Sequence, residues 1–234
     1  MKFALIIFTF ITHASSANEA LRGSLPSFPP FYDEQDLNGG AVVKLYKKIE
    51  KQLGLKLEVI PLPYARILMS LKTGDIDMAI IFKNSSIKEH VSYLAKVSES
   101  QVLVWTKMGI SLENYSELKN LSIATIRKAS FSEKYDNDQT IRKFYVDNYV
   151  QGLKMLDLGH IDGIVGSYSG IEYAAKRANV NLNTLGSPLL INSKEWWVHY
   201  SKKSKHQYAM KKIKKIAEGL YEKDLVYKLY VNSE

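Results

Sequence analysis

Leu71–Ile81 reads Leu-Lys-Thr-Gly-Asp-Ile-Asp-Met-Ala-Ile-Ile, and Leu156–Gly166 reads Leu-Asp-Leu-Gly-His-Ile-Asp-Gly-Ile-Val-Gly. Each runs from the end of an apolar helical pattern, through Gly, to Ile-Asp and a short apolar run. Helices commonly stop at Gly, which enters the left-handed conformation without steric cost. A short apolar run after such a stop reads as a buried strand. The same helix–Gly–strand unit thus occurs twice, 85 positions apart. Two similar α/β lobes follow, with a cleft between them.

The flanking sequence extends this pattern. Glu19–Ser24 predicts a first strand. Ala41–Leu53 predicts a helix, with Val42, Leu45, Tyr46, Ile49 and Leu53 on one stripe and Gly54 as its stop. Lys56–Ile60 predicts a strand broken by Pro61 and Pro63. Tyr64–Lys72 predicts a helix ending at Gly74, and Asp77–Ile81 the next strand. Strand–helix–strand–helix–strand is the order of a parallel sheet with crossover helices. Ala95–Lys107 reads as a long extended segment leading into the second lobe. There Leu121–Ile126, Arg142–Val146 and Gly163–Val165 are strands. A short helix after Ser130, Asn148–Leu158 and Ile171–Ala178 are helices. Ser187–Tyr200 is extended and returns the chain, and Ser204–Ser233 reads as two amphipathic helices.

The 234 residues begin with a segment outside that fold. Lys2 is a positive n-region, Phe3–Ile11 an apolar h-region, and Ala14-Ser15-Ser16-Ala17 a small-residue cleavage site. The apolar run falls far short of the ~18 residues that span a bilayer. A signal peptide over 1–17, cleaved after Ala17, is expected. The chain has no cysteine, which removes disulfides, thiolate metal ligation and a lipidated N-terminal Cys. The expected address is a free periplasmic protein of a Gram-negative bacterium. Formal net charge is +8, much of it late, from Lys202, Lys203 and Lys205 to Lys211, Lys212, Lys214 and Lys215. This reads as a solvated helix face, with an anionic membrane or acidic partner as the other reading. Nucleic acid is not an expected partner of an exported protein.

In open parallel sheets, ligands bind beyond the carboxyl ends of the strands. That rule selects Ser27, Phe28, Leu62–Tyr64, Phe82, Lys83 and Asn84 in the first lobe. In the second it selects Arg127, Lys128, Ala129, Ser130, Ser167 and Tyr168. The set is aromatic, basic and hydroxylic, and suits an anionic or polar ligand with an apolar part. Catalysis and metal binding find little support. His90, His160, His199 and His206 lack metal-ligand spacing. Gly166-Ser167-Tyr168-Ser169-Gly170 fails as a nucleophile elbow because its central residue is Tyr. Asp77 and Asp162 occupy the same place in the two repeats, so a shared structural role, capping the helix-to-strand connection, is the more economical reading. No cofactor and no catalytic residue is expected.

These residues resemble the family 3 extracellular solute-binding proteins over essentially the whole mature chain. Phe28-Pro29-Pro30-Phe31 is similar to the family's Tyr-Pro-Pro-Phe after the first strand, and Leu53-Gly54-Leu55 to the end of its first helix. Leu71–Met78 resembles its Leu-x-x-Gly-x-x-Asp, and Met155–Ile164 the second-lobe counterpart. Ser201-Lys202-Lys203-Ser204 resembles the run before its terminal helices. The resemblance implies a periplasmic-binding-protein-like clamshell: two α/β lobes, lobe one split into 18–100 and 190–234 and lobe two over 101–189, a two-strand hinge, and closure on a small ligand. The closed form would be presented to an ABC permease or membrane sensor, with the receptor a monomer. Phe28 and Tyr64 fall on the family's aromatic platforms. The Arg that grips an α-carboxylate is missing; Lys88 stands in that neighbourhood and offers no planar fork. The acidic residue for the α-ammonium falls on Ser167. These replacements argue against a standard α-amino acid. Arg66, Arg127 and Lys128 are expected to favour an acidic group, with Phe28 and Tyr64 against the remainder. Two alternatives stay open. One is a cyclohexadienyl-dehydratase-like enzyme using a carboxylate such as Glu99, Glu133, Glu172 or Glu195. The other is an interaction module that has lost its ligand.

Overall fold

The computed structural model describes residues 20–33, 36 and 39–232; the expected signal peptide lies outside them. Its centre is a pair of long antiparallel strands, β4 (Val91–Thr106) and β8 (Leu189–Ser201). On one side stand β1 (Leu21–Pro26), β2 (Leu57–Leu62) and β3 (Met78–Phe82). On the other stand β5 (Ser122–Ile126), β6 (Arg142–Val146) and β7 (Gly163–Ser167). The whole is one eight-stranded sheet in the order β2-β1-β3-β8-β4-β7-β5-β6. β1 is parallel to β2 and β3, and β5 is parallel to β6 and β7, so the two outer thirds repeat one arrangement.

β3 pairs with the last part of β8, Trp196–Tyr200, while β7 pairs with the last part of β4, Val102–Thr106. Both central strands therefore run from one parallel third into the other. Their mutual register shifts at Tyr93/Ala95, Lys96/Ser98 and Val102/Leu103. Such irregularities bend a strand and increase its twist.

The helices follow the sequence pattern closely. α1 (Ala41–Leu53) buries Val42, Leu45, Tyr46, Ile49 and Leu53, at about 1.5–3 kcal/mol for each large side chain. α2 (Tyr64–Thr73) stops at Gly74, whose φ of +85° is left-handed. In the second half come α3 (Glu133–Asn137), α4 (Tyr149–Asp157) and α5 (Tyr168–Ala178). Gly159, after α4, has φ +73°, so the repeated Gly does the same conformational work in both units. α6 (Met210–Gly219) and α7 (Leu225–Val231) close the described chain, and both pack on α1 and β4. No helix among the described residues is long and apolar enough to cross a membrane.

Two local differences have physical causes. β2 runs through Pro61 rather than ending before it. It is an edge strand paired only with β1, where a missing N–H costs no ladder bond. β4 starts at Val91, before the expected Ala95, because its first residues find partners at the far end of β8.

The repeated Asp residues hold both halves in one way. The Asp77 carboxylate accepts the Arg22 N–H at 2.7 Å, and Asp77 N–H donates back to the Arg22 carbonyl at 2.8 Å. The Asp162 carboxylate accepts the Ser122 N–H at 2.9 Å, and Asp162 N–H donates to the Ser122 carbonyl at 2.8 Å. Their carbonyls accept Ser201 N–H and Lys107 N–H, at the ends of the two long strands. Each Asp thus ties the entry of β3 or β7 to the start of β1 or β5 and to a crossing strand.

Candidate functional site

The carboxyl ends of β1, β3 and β5 converge on an aromatic slot between the two parallel thirds. Pro26, Phe28, Phe31, Tyr64 and Phe82 line it from one side, Ile126, Ala129, Phe131 and Tyr149 from the other, with Trp196 of β8 between. Only about 20 Å³ of free space remains. The rings meet directly: Phe28 lies edge-on to Phe31 and to Tyr149, each at 5.5 Å between centroids, and Trp196 packs on Phe31 at 5.0 Å and Phe82 at 4.5 Å. The Phe28–Tyr149 contact bridges the two halves. Such pairs contribute about 0.5–1.5 kcal/mol beyond area burial, so the closed slot is held by its own side chains.

Tyr149 reaches the slot because the backbone behind it is bare. A Cβ on Gly166 or Gly170 would collide with the Tyr149 ring. Its hydroxyl accepts the Ser167 N–H at 3.3 Å, while Ser167 Oγ caps α5 by accepting the Gly170 N–H at 3.3 Å. The Gly-Ser-Tyr-Ser-Gly stretch is therefore a seat for an aromatic ring.

The polar groups sit around this apolar centre. Asn84 Nδ2 donates to the Tyr64 hydroxyl at 3.4 Å, and burial pushes that phenol up to about 12. The Asn84 carbonyl accepts the Tyr93 hydroxyl at 2.7 Å, and its N–H points to His199 Nε2 at 3.4 Å. His199 is fully buried, and burial drives its imidazole down to about 4. Lys83 lies over the Trp197 ring at 4.3 Å from its centroid. Lys194 donates to the Lys83 carbonyl at 3.2 Å; burial lowers its ammonium, against the pull of Asp136. Asp136 accepts from Ser130 Oγ at 2.7 Å and from Phe131 N–H at 3.1 Å.

The structure thus brings Phe28, Tyr64 and Phe82 together in the slot, with Asn84, Ser167 and Ser130 next to it through Tyr64, Tyr149 and the Asp136 that also holds Phe131; Lys83 lies over Trp197 instead. Arg66, Lys88, Arg127 and Lys128 are exposed and do not line it. Arg127 Nε pairs with Asp147 at 3.3 Å. Tyr168 turns to Trp105 and Tyr227, at 6.0 and 5.7 Å, on a different groove. Sequence reasoning missed Phe31, Phe131, Tyr149, Trp196 and Lys194. Phe31 stood in the quoted Phe-Pro-Pro-Phe. Tyr149, following the Asn148 cap beyond β6, obeyed the same strand-end rule. Trp196 and Lys194 carried no such signal, because they lie within a crossing strand. Among the described residues, no carboxylate lines the slot and no cluster of three His or acidic residues is placed to hold a metal.

A parallel half on each side of two crossing strands, with an interface at the strand ends, is the architecture of a clamshell solute-binding protein. The sequence profile of the bacterial extracellular solute-binding proteins, family 3, matches residues 21–230, and the chain belongs to that family. Among solved structures it is similar to an ancestral arginine-binding protein bound to arginine, with 24% identity and TM-score 0.73 over 91% of this chain and 97% of that one. ArtJ, an arginine-, lysine-, histidine-binding protein from Geobacillus stearothermophilus, is 18% identical, with TM-score 0.71 over 91% and 94%. The arginine-bound truncated ArgBP from T. maritima is 18% identical, with TM-score 0.70 over 86% and 95%. No curated protein sequence matches significantly.

Proposed function

We propose that this protein is an exported receptor of the amino-acid-transporter type, whose two lobes close on a small organic acid with an aromatic or apolar body. The lobes are 18–100 with 190–234, and 101–189. β4 and β8 are the hinge. The observation that carries this reading is the Phe28–Tyr149 contact across a slot with about 20 Å³ left free. A ligand enters only if the rings part, and bulk in their place must be apolar. Lys194, whose ammonium bonds the Lys83 carbonyl just past the end of β3, supports an acidic end for the ligand; Ser167 offers no carboxylate to an ammonium. Arginine, held by the structural relatives, fits this lining poorly, since its guanidinium would lose water against aromatic walls, and the nearby Asp136 carboxylate is already taken by Ser130 and the Phe131 N–H.

The receptor is a monomer in the periplasm after cleavage at Ala17, and its partner is an ABC permease or a membrane sensor. It needs no cofactor, contacts no nucleic acid and performs no catalysis. The dehydratase alternative lacks support at the slot: Glu99 and Glu195 are both held by Lys96, at 2.9 and 3.3 Å. The filled slot also favours a second reading, an interaction module that never opens to a solute.

The test is thermal unfolding and calorimetry with phenylacetate, benzoate, L-phenylalanine, L-arginine and putrescine. A ligand specific to the folded state must raise the melting temperature. An aromatic acid is expected to give the largest rise. Tightest binding of arginine or putrescine refutes the acidic ligand; no response to any small molecule favours the interaction module.

A further inference from the structure

Most of the chain's net positive charge lies outside residues 101–189, where acidic and basic residues nearly balance. It collects on two helices. α1 and α6 pack together, and Lys212 Nζ donates to the Leu53 carbonyl at 2.6 Å, which fixes α6 against the end of α1. Each helix buries one stripe: Leu45, Ile49 and Leu53 in α1, and Ile213, Ile216 and Ala217 in α6. Apolar burial thus decides which way the polar sides point. Lys48 and Lys51 of α1 and Lys211, Lys214 and Lys215 of α6 are exposed.

Two properties select what this face meets. The first is the kind of charge. Among the described residues, Lys48, Lys51, Lys211 and Lys215 form no ion pair. The acids on the same helices are engaged: Glu50 accepts the Leu57 N–H at 2.9 Å, and Glu218 sits 3.8 Å from Lys214. Neither helix contains an arginine. Protein interfaces are depleted in lysine and enriched in arginine, whose planar fork fits a fixed carboxylate. Clustered lysines, flexible and hydrated, suit the mobile phosphates of anionic lipids. The second property is an aromatic ring among them. Tyr208, just before α6, is 64% exposed. Lys211, Lys212 and Lys215 follow it at spacings of three, four and seven, which place all four on one side of the helical run. An apolar ring with a polar tip belongs at the headgroup layer of a bilayer.

We propose that the lysine face of α1 and α6 docks on an anionic lipid bilayer, with the Tyr208 ring entering the headgroup layer. The attraction acts only within about a Debye length, so the protein is held at the surface without being inserted. Each lysine brought to that surface strengthens binding about fivefold. The face lies on the outside of two helices that contribute no residue to the aromatic slot, so docking does not depend on what the slot binds.

The test is co-sedimentation of the purified protein with vesicles of phosphatidylglycerol mixed with phosphatidylcholine, and with vesicles of phosphatidylcholine alone, at low salt and at about 0.5 M sodium chloride. The mixed vesicles are expected to pellet the protein at low salt only, and phosphatidylcholine not at all. Lys48→Gln, Lys51→Gln, Lys211→Gln and Lys215→Gln together remove charges that pair with no carboxylate in the fold. That variant is expected to lose pelleting while keeping its melting temperature. Tyr208→Ser is expected to weaken binding severalfold without changing the salt dependence. Any of five results overturns the proposal: no pelleting with the mixed vesicles at low salt; equal pelleting with phosphatidylcholine; full binding by the four-lysine variant; full binding by Tyr208→Ser; or poly-L-glutamate of matched charge binding as tightly as the vesicles, which assigns the face to an acidic protein.

Discussion

Truncating the two repeated aspartates tests whether a shared backbone role costs the same in different surroundings. Asp77 is 3% exposed and accepts three hydrogen bonds: Arg22 N–H at 2.7 Å, Ser204 Oγ at 2.6 Å and His206 Nδ1 at 3.1 Å. Losing about 1 kcal/mol or slightly more for each gives about 3–4 kcal/mol for Asp77→Ala. Asp162 accepts two bonds from Ser122, its N–H at 2.9 Å and its Oγ at 2.6 Å, and pairs with Lys107 at 2.7 Å. The Lys107 side chain is 39% exposed, so that pair adds under about 1 kcal/mol and Asp162→Ala costs about 2–3 kcal/mol. The two sites share no partner, so the double variant should be additive within about 0.5 kcal/mol. Urea unfolding at pH 7, followed by tryptophan fluorescence, measures all three. A smaller loss for Asp77→Ala than for Asp162→Ala would refute the burial argument, and losses near zero for both would refute the clamp itself. The acid limb gives a second check. Burial alone would raise the Asp162 carboxyl, but Lys107 and Ser122 outweigh it and hold it at about 2. The stability it contributes is present above the ordinary carboxylate value and is lost as pH falls towards 2. Asp162→Asn should flatten that limb.

His199 makes a separate prediction near neutrality. Its folded value of about 4 lies below the ordinary 6.5, so the folded state binds fewer protons. Stability is full above pH 6.5 and falls by about 3 kcal/mol as pH drops to 4; His199→Gln should remove that slope in urea unfolding, and an unchanged slope would disprove the assignment. Gly166→Ala drives a methyl into the Tyr149 ring and should cost about 1–3 kcal/mol while turning Tyr149 from the slot; the urea midpoint and the Trp196 environment report it. Lys194→Met removes the ammonium that bonds the Lys83 carbonyl and leaves every slot-lining residue in place. It should weaken aromatic-acid binding about tenfold by calorimetry, with little change for a neutral aromatic alcohol.

Phe28 and Tyr149 show how slot chemistry divides between chain and fold. Phe28 could be singled out because it follows the first strand directly. Tyr149 sits 121 positions later, on a helix whose apolar stripe already accounts for it as core. Only the close approach over Gly166 and Gly170 turns that core residue into a wall of the slot. The basic residues show the reverse. Arg127 and Lys128 stand at a strand end, where the topological rule expects ligand contact. Their long charged side chains reach solvent instead, and Arg127 finds Asp147.

The sequence by itself determined the units of the fold. Hydrophobic period, Gly stops and the doubled Ile-Asp are local signals, and each is set by backbone sterics or by the face a side chain must bury. They were enough to specify two α/β repeats and the order of strands within each. Tertiary structure decided what the repeats enclose. The register of β4 on β8 decides which ends of the strands meet, and that register rests on contacts up to 110 positions apart, such as Val91 with Ser201. It brings Trp196 between Phe31 and Phe82, and it places Tyr168 against Tyr227 rather than in the slot. The repeated Asp pair began as a sign of duplication. In the folded chain each Asp fastens its own half to one of the two strands that both halves share, Asp77 to the end of β8 and Asp162 to the end of β4.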